Sequence, residues 1–135
     1  MSAQSDLIKD RAIARLNRET AVHSKGHQNV HARRYVLPRA GKPDVDIMII
    51  VKGTHLQLWC EAEAMDRMTS VSLGGEFHPG SETYQPDQNG KVQYGRHSGL
   101  KVMDRLHRAD AWRFVPKTIG ELDRILDVVK ALPGT

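Results

Sequence analysis

The sequence predicts an α+β domain in which a central mixed sheet, containing an antiparallel three-stranded meander, is flanked by helices. Three observations carry this. Two β-prone runs, 45–51 and 56–60, flank the pair Gly53-Thr54, and a two-residue Gly-X loop of the type II′ kind is a favoured hairpin connection. Apolar residues at helical spacing open the chain (Ile8, Ala12, Leu16) and close it (Ile119, Leu122, Ile125, Leu126, Val129, Leu132), as amphipathic helices require. A length of 135 residues suffices for one hydrophobic core, so a single domain spanning 1–135 is expected.

Taken in order, residues 5–19 read as a helix within a helical N-terminal stretch, 1–32, which Gly26 and Asn29 weaken beyond its first part. The sheet core, 33–64, begins with a short β-prone run at 33–38, turns at 39–43 and continues into the hairpin. Residues 65–96 are rich in Gly, Ser, Thr, Pro, Asp and Asn and read as an irregular insert with a short strand near 91–94. The final part, 97–135, reads as helix, strand, helix. Ser98 caps a helix to about residue 108 with Leu100, Met103 and Leu106 as its stripe. Residues 112–115 form a strand that Pro116 ends, and Thr118 with Glu121 makes a capping box for the last helix.

Composition excludes several classes. No apolar run approaches the roughly 20 residues of a membrane span, and Met1 to Asp10 lacks the apolar core of a signal peptide. The single cysteine, Cys60, excludes an internal disulfide and fits a cytoplasmic location. It lies on the apolar face of its strand, as a buried inert thiol would. A net charge of +4 and a pI near 9.4 favour a polyanionic partner such as nucleic acid. The basic charge lies mostly before Pro43 and in 96–113, around a comparatively acidic hairpin.

Register can be counted from the turn. With Gly53 and Thr54 as loop residues, Lys52 faces His55, Asp46 faces Glu61 and Asp44 faces Glu63. The two-residue period of a strand then puts Asp44, Asp46, Glu61 and Glu63 on one face, with Met48, Ile50 and Trp59 nearer the turn. Val45, Ile47, Ile49, Val51, Leu56, Leu58 and Cys60 occupy the other face. Facing like charges destabilise a sheet. A hard divalent cation, neutralisation by Arg or Lys, or exposure of the strand ends to water would each resolve the conflict. Oxygen ligands of this kind suit Mg²⁺, Mn²⁺ or Ca²⁺ rather than zinc.

Pro43-Asp44 opening the second strand, Glu61-Ala62-Glu63 ending the third, and the order of elements over about 5–132 resemble the PD-(D/E)xK nuclease superfamily, the restriction-endonuclease-like fold. The tail from Ser98 to Leu132 is similar to that of phage-type VRR-Nuc and junction-resolvase-like members. The resemblance implies phosphodiester hydrolysis of DNA with Mg²⁺ or Mn²⁺ held by Asp44 or Asp46 and by Glu61 and Glu63. Glu63 stands where the family usually has lysine. That departure turns attention to Lys101, and less to Lys52, as the amine beside Asp44, Glu61 and Glu63 in catalysis.

Phosphate contacts are expected from Arg33, Arg34, Arg96, His97 and Lys101; the last three gather near a helix N-terminus, which favours anions. His23, His27 and His31 are spaced to align on a helix face, where a solvated or phosphate-facing helix end fits better than a zinc site. Trp59 and Trp112 are expected in the core. The rival reading is a non-catalytic module of the same fold. It would bind nucleic acid, or act through protein interaction as an inhibitor or assembly factor of a mobile element. A homodimer or larger assembly is compatible with either reading.

Overall fold

The computed structural model of the chain describes residues 3–23, 26, 32–37, 45–62, 65–86, 88–94, 103, 106 and 109–130. Helix α1 (Ala3–Glu19) is followed by strands β1 (Ala21–Val22), β2 (Ala32–Leu37), β3 (Val45–Ile50) and β4 (Gln57–Glu61). Then come α2 (Arg67–Ser72), β5 (Glu76–His78), a 3-10 turn (Gly80–Glu82), β6 (Tyr84–Pro86), β7 (Val92–Tyr94), β8 (Ala111–Phe114) and α3 (Ile119–Lys130). Six strands form one sheet in the order β1-β2-β3-β4-β8-β5, and β6 pairs with β7 separately.

The α+β class holds, but the expected mixed sheet is corrected: among the described residues every pairing is antiparallel. The reason lies in where the insert returns. Glu61 pairs with Ala111, so the chain leaves β4 and re-enters β8 at the same end of the sheet. A parallel β8 would need a crossover to the opposite end. The insert is also more regular than its composition suggests. Asp66 caps α2 by accepting from the Thr69 amide (2.9 Å) and hydroxyl (3.0 Å), and β5 joins the main sheet beside β8. The strand expected near 91–94 is β7.

Alternation along the strands gives the sheet two unlike faces. On one, Tyr35, Ile47, Ile49, Leu58, Cys60 and Phe114 pack against Ile8, Ala12 and Leu16 of α1 and Leu122, Ile125 and Leu126 of α3. On the other, Met48, Ile50, Trp59 and Ala111 form a smaller core with Met103 and Leu106. Met103 and Leu106 are buried; Leu100 and most other residues of the helix expected over 98–108 lie outside the described residues. Arg15, 6% exposed, ties the two long helices together. Its guanidinium bonds Glu19 in α1 (2.9 Å) and Asp127 in α3 (2.9 Å).

The Thr118 half of the expected capping box forms at the start of α3, whereas the Glu121 side chain reaches back one residue further than the N-cap, to Lys117. The Glu121 amide donates to Thr118 Oγ1 (3.1 Å), while Glu121 Oε1 accepts from the Lys117 amide (3.3 Å). Thr118→Ala is expected to lower stability by about 1 kcal/mol, measured as a fall in the urea midpoint without a change in slope. Gly75 is constrained by contact rather than by dihedral angle. A Cβ there would sit 2.7 Å from Phe114 Cε1, 2.7 Å from the Ser70 carbonyl oxygen and 3.0 Å from Trp112 Cε3. The carbonyl belongs to the end of α2 and cannot swing aside. Gly75→Ala is therefore expected to cost about 1–3 kcal/mol by overpacking, visible as a lowered melting temperature.

Candidate acidic centre on the hairpin

The hairpin has the register counted from the sequence. Ile47 pairs with Cys60, Met48 with Trp59, Ile49 with Leu58 and Ile50 with Gln57. The two-residue turn is corrected: pairing stops at Ile50 and Gln57, leaving residues 51–56 as the loop. Widening was symmetric about Gly53-Thr54, so the register survived it. Gly53 has φ +105°, a backbone state that favours glycine, and its carbonyl accepts from Lys9 Nζ of α1 (2.5 Å).

At the opposite end of the hairpin, Asp46 and Glu61 come together as the register requires. The amide of Asp46 donates to Glu61 Oε2 (2.5 Å), beyond the last ladder pair. The two residues are 5% and 6% exposed. Burying a carboxylate is costly unless it is hydrogen-bonded or paired. Glu61 gains the Asp46 amide, and Asp46 Oδ1 lies 3.5 Å from His23 Nε2. The sequence reading missed this use of His23. Helix α1 stops at Glu19 and β1 follows, so His23 sits just past a strand whose line continues through its amide bond to the Arg34 carbonyl (3.1 Å).

A cleft of about 500 Å³ opens beside Glu61, lined also by Arg67, Phe77, Asp110 and Trp112. The Arg67 guanidinium carbon lies 5.1 Å from the Phe77 ring centre and 5.9 Å from that of Trp112, within the range of cation–π attraction. Arg67 is exposed, so these rings hold a cation at the rim near a buried carboxylate. Asp110 braces the insert by accepting from the Gly80 amide (2.7 Å).

Of the other predicted residues, Arg34 shares the face of Asp46 but is buried, and its Nη1 donates to the Gly26 carbonyl (3.1 Å). Its pKa is lowered by burial. Arg33 lies on the opposite face near Tyr35, whose pKa is raised by burial against the influence of Arg33. The Tyr35 hydroxyl donates to Asn17 Oδ1 (2.9 Å). Cys60 and Trp112 are buried as expected, and buried Trp59 packs its ring 4.8 Å from that of His78. Asp44, Glu63, Arg96, His97 and Lys101 lie outside the described residues, as do His27 and His31. Among the described residues, no three His, Cys, Asp or Glu side chains gather as a metal cage, and no helix is long and apolar enough to cross a membrane. Comparison with known proteins finds no matching family model, curated sequence or solved structure.

Proposed function

We propose that this chain is a small metal-dependent nuclease of restriction-endonuclease-like type that hydrolyses phosphodiester bonds in DNA within the cytoplasm. The observation that carries the reading is the burial of Asp46 and Glu61 together where β3 begins and β4 ends, with an open cleft beside Glu61. Their oxygens are the hard donors that Mg²⁺ or Mn²⁺ prefers. The described residues supply two of the four carboxylates in the proposed set; the other two, Asp44 and Glu63, lie outside the described residues.

When bound, the ion would neutralise charge on the phosphate and lower the pKa of a water. The chain's own part is to hold the carboxylates in a fixed, partly dry position and to meet the substrate with cations. Arg67 at the cleft rim is suited to a phosphate oxygen because a guanidinium presents several donors in one plane. In the net reaction the water oxygen bonds to phosphorus, the ester oxygen leaves, and that oxygen takes up a proton.

One observation favours the rival, a non-catalytic nucleic-acid-binding module. Both described carboxylates already have internal contacts, to the Asp46 amide and to His23. Nicking of supercoiled plasmid with Mg²⁺ or Mn²⁺ separates the two readings. Cleavage by the wild type that disappears with chelator and in Glu61→Gln supports the nuclease. Binding without cleavage selects the module.

A further inference from the structure

The loop end of the hairpin, opposite the acidic centre, carries a second pocket of about 410 Å³. Its lining includes Lys52, His55, Arg113 and Lys117 and, among the described residues, no acidic side chain. Lys52, His55 and Lys117 are exposed. Among the described residues, their side chains make no ion pair or hydrogen bond. This sets them apart from Arg11 and Arg15, which are tied to carboxylates.

Arg113 is held in place rather than loose. Its Nε donates to Gln57 Oε1 (2.9 Å) and its Nη1 to Glu76 Oε1 (3.2 Å). Two carboxylates stand close to the pocket without lining it. Glu76 is shared by Arg113 and His78, and Glu121 is engaged with the Lys117 amide and Thr118. Three lysine and arginine charges around one concavity remain only partly offset. Such a pocket attracts an anion with several oxygens.

Position says which anion. Gln57 and Arg113 project from the sheet face that carries Asp46 and Glu61, because alternation along β4 and β8 places Gln57, Trp59, Glu61, Ala111 and Arg113 together. Met103 and Leu106 seal the apolar middle of that face, leaving cations at one end and carboxylates at the other. Gln57 and Glu61 are the ends of β4, roughly 13 Å apart at about 3.3 Å per residue.

We propose that the pocket formed by Lys52, His55, Arg113 and Lys117 seats a backbone phosphate of the nucleic acid, a short way along the same strand from the bond at the acidic centre. The assignment rests on the nuclease-fold reading above. The pocket acts in binding, so its test needs no metal.

The experiment is fluorescence anisotropy of a labelled 20-base-pair DNA duplex in chelator across a salt series. It compares the wild type, the double variant Lys52→Glu/Lys117→Glu, and a charge-matched control, Arg124→Glu/Lys130→Glu on the exposed side of α3. The pocket variant is expected to bind at least tenfold more weakly. The slope of log affinity against log salt should fall by roughly one for each lysine, with the control close to wild type. Equal binding by wild type and pocket variant overturns the proposal, as does an equal loss in the control. Affinity for inorganic phosphate without affinity for the duplex also overturns it. Binding that depends on the pocket in a protein without metal-dependent cleavage would refute the nuclease and leave the phosphate seat standing.

Discussion

Glu61→Gln is expected to reduce metal-dependent plasmid nicking by at least about 100-fold while melting close to the wild type. The substitution is chosen for what it retains. Glu61 Oε2 accepts the Asp46 amide, and a glutamine carbonyl oxygen can accept the same bond, so local structure is kept while the negative charge goes. Loss of a partner that merely orients a metal ligand typically costs about 10- to 100-fold; loss of a ligand charge should cost more. Asp46→Asn should behave in the same way, since it preserves shape beside His23 and removes the charge. Normal melting with lost nicking separates a role in chemistry from a role in folding. Undiminished nicking by either variant would remove that residue from the site.

Arg15→Met is expected to lower stability by about 2–3 kcal/mol, read from urea unfolding. Arg15 is the buried cation between α1 and α3, bonding Glu19, Asp127 and, at 3.4 Å, Asp123. Removing one partner of a buried ion pair commonly costs about 3–5 kcal/mol because the remaining charge is stranded. The figure is set lower here because the Asp127 side chain is 70% exposed and Asp123 is 29% exposed, so water can replace part of the interaction. Arg11→Met should cost less than about 1 kcal/mol, because Arg11 is half exposed and pairs with Asp123 alone.

The same cluster sets the acid limb of stability. Glu19 is held below the ordinary carboxylate range chiefly by its hydrogen bond to Arg15, and Asp123 chiefly by its bond to Arg11. A depressed folded pKa means that the unfolded chain binds protons first as pH falls. The stabilisation is therefore complete above the ordinary carboxylate values and is lost as pH drops through the lowered ones. In Arg15→Met this acid-sensitive part should shrink, giving a flatter dependence of the urea midpoint on pH below the neutral range.

Those parts of the fold governed by short-range periodicity were legible in the sequence. Strand alternation and the Gly53-Thr54 pair were enough to fix the partners from Ile47-Cys60 to Ile50-Gln57, and symmetric widening of the loop left them unchanged. The capping pair Thr118 and Glu121 and the stripe from Leu122 to Val129 are equally local, and α3 follows them. Strand direction in β8 is different. It depends on where a long insert returns, which no local pattern encodes. Strand β5 is three residues of Glu-Phe-His, and it is held by pairing with β8 and by the Phe77 ring against Trp112 (5.2 Å, edge-on).

The candidate site divides along the same line. The meeting of Asp46 and Glu61 was readable because it follows from register. His23 was not, because its spacing to His27 and His31 imitates a helix face, whereas the chain has already left α1 and formed β1. Arg67 carried no pattern at all. Its position at the cleft rim comes from the aromatic pair Phe77 and Trp112, contributed by β5 and β8.

The central claim is that the Asp46–Glu61 end of the hairpin holds a divalent cation. Calorimetric titration of Mn²⁺ into the wild type and into Glu61→Gln, with no nucleic acid present, tests it most directly. The account predicts roughly one ion bound per chain in the wild type, with at least a tenfold weaker isotherm in the variant. No binding by the wild type, or identical isotherms for the two proteins, would contradict it.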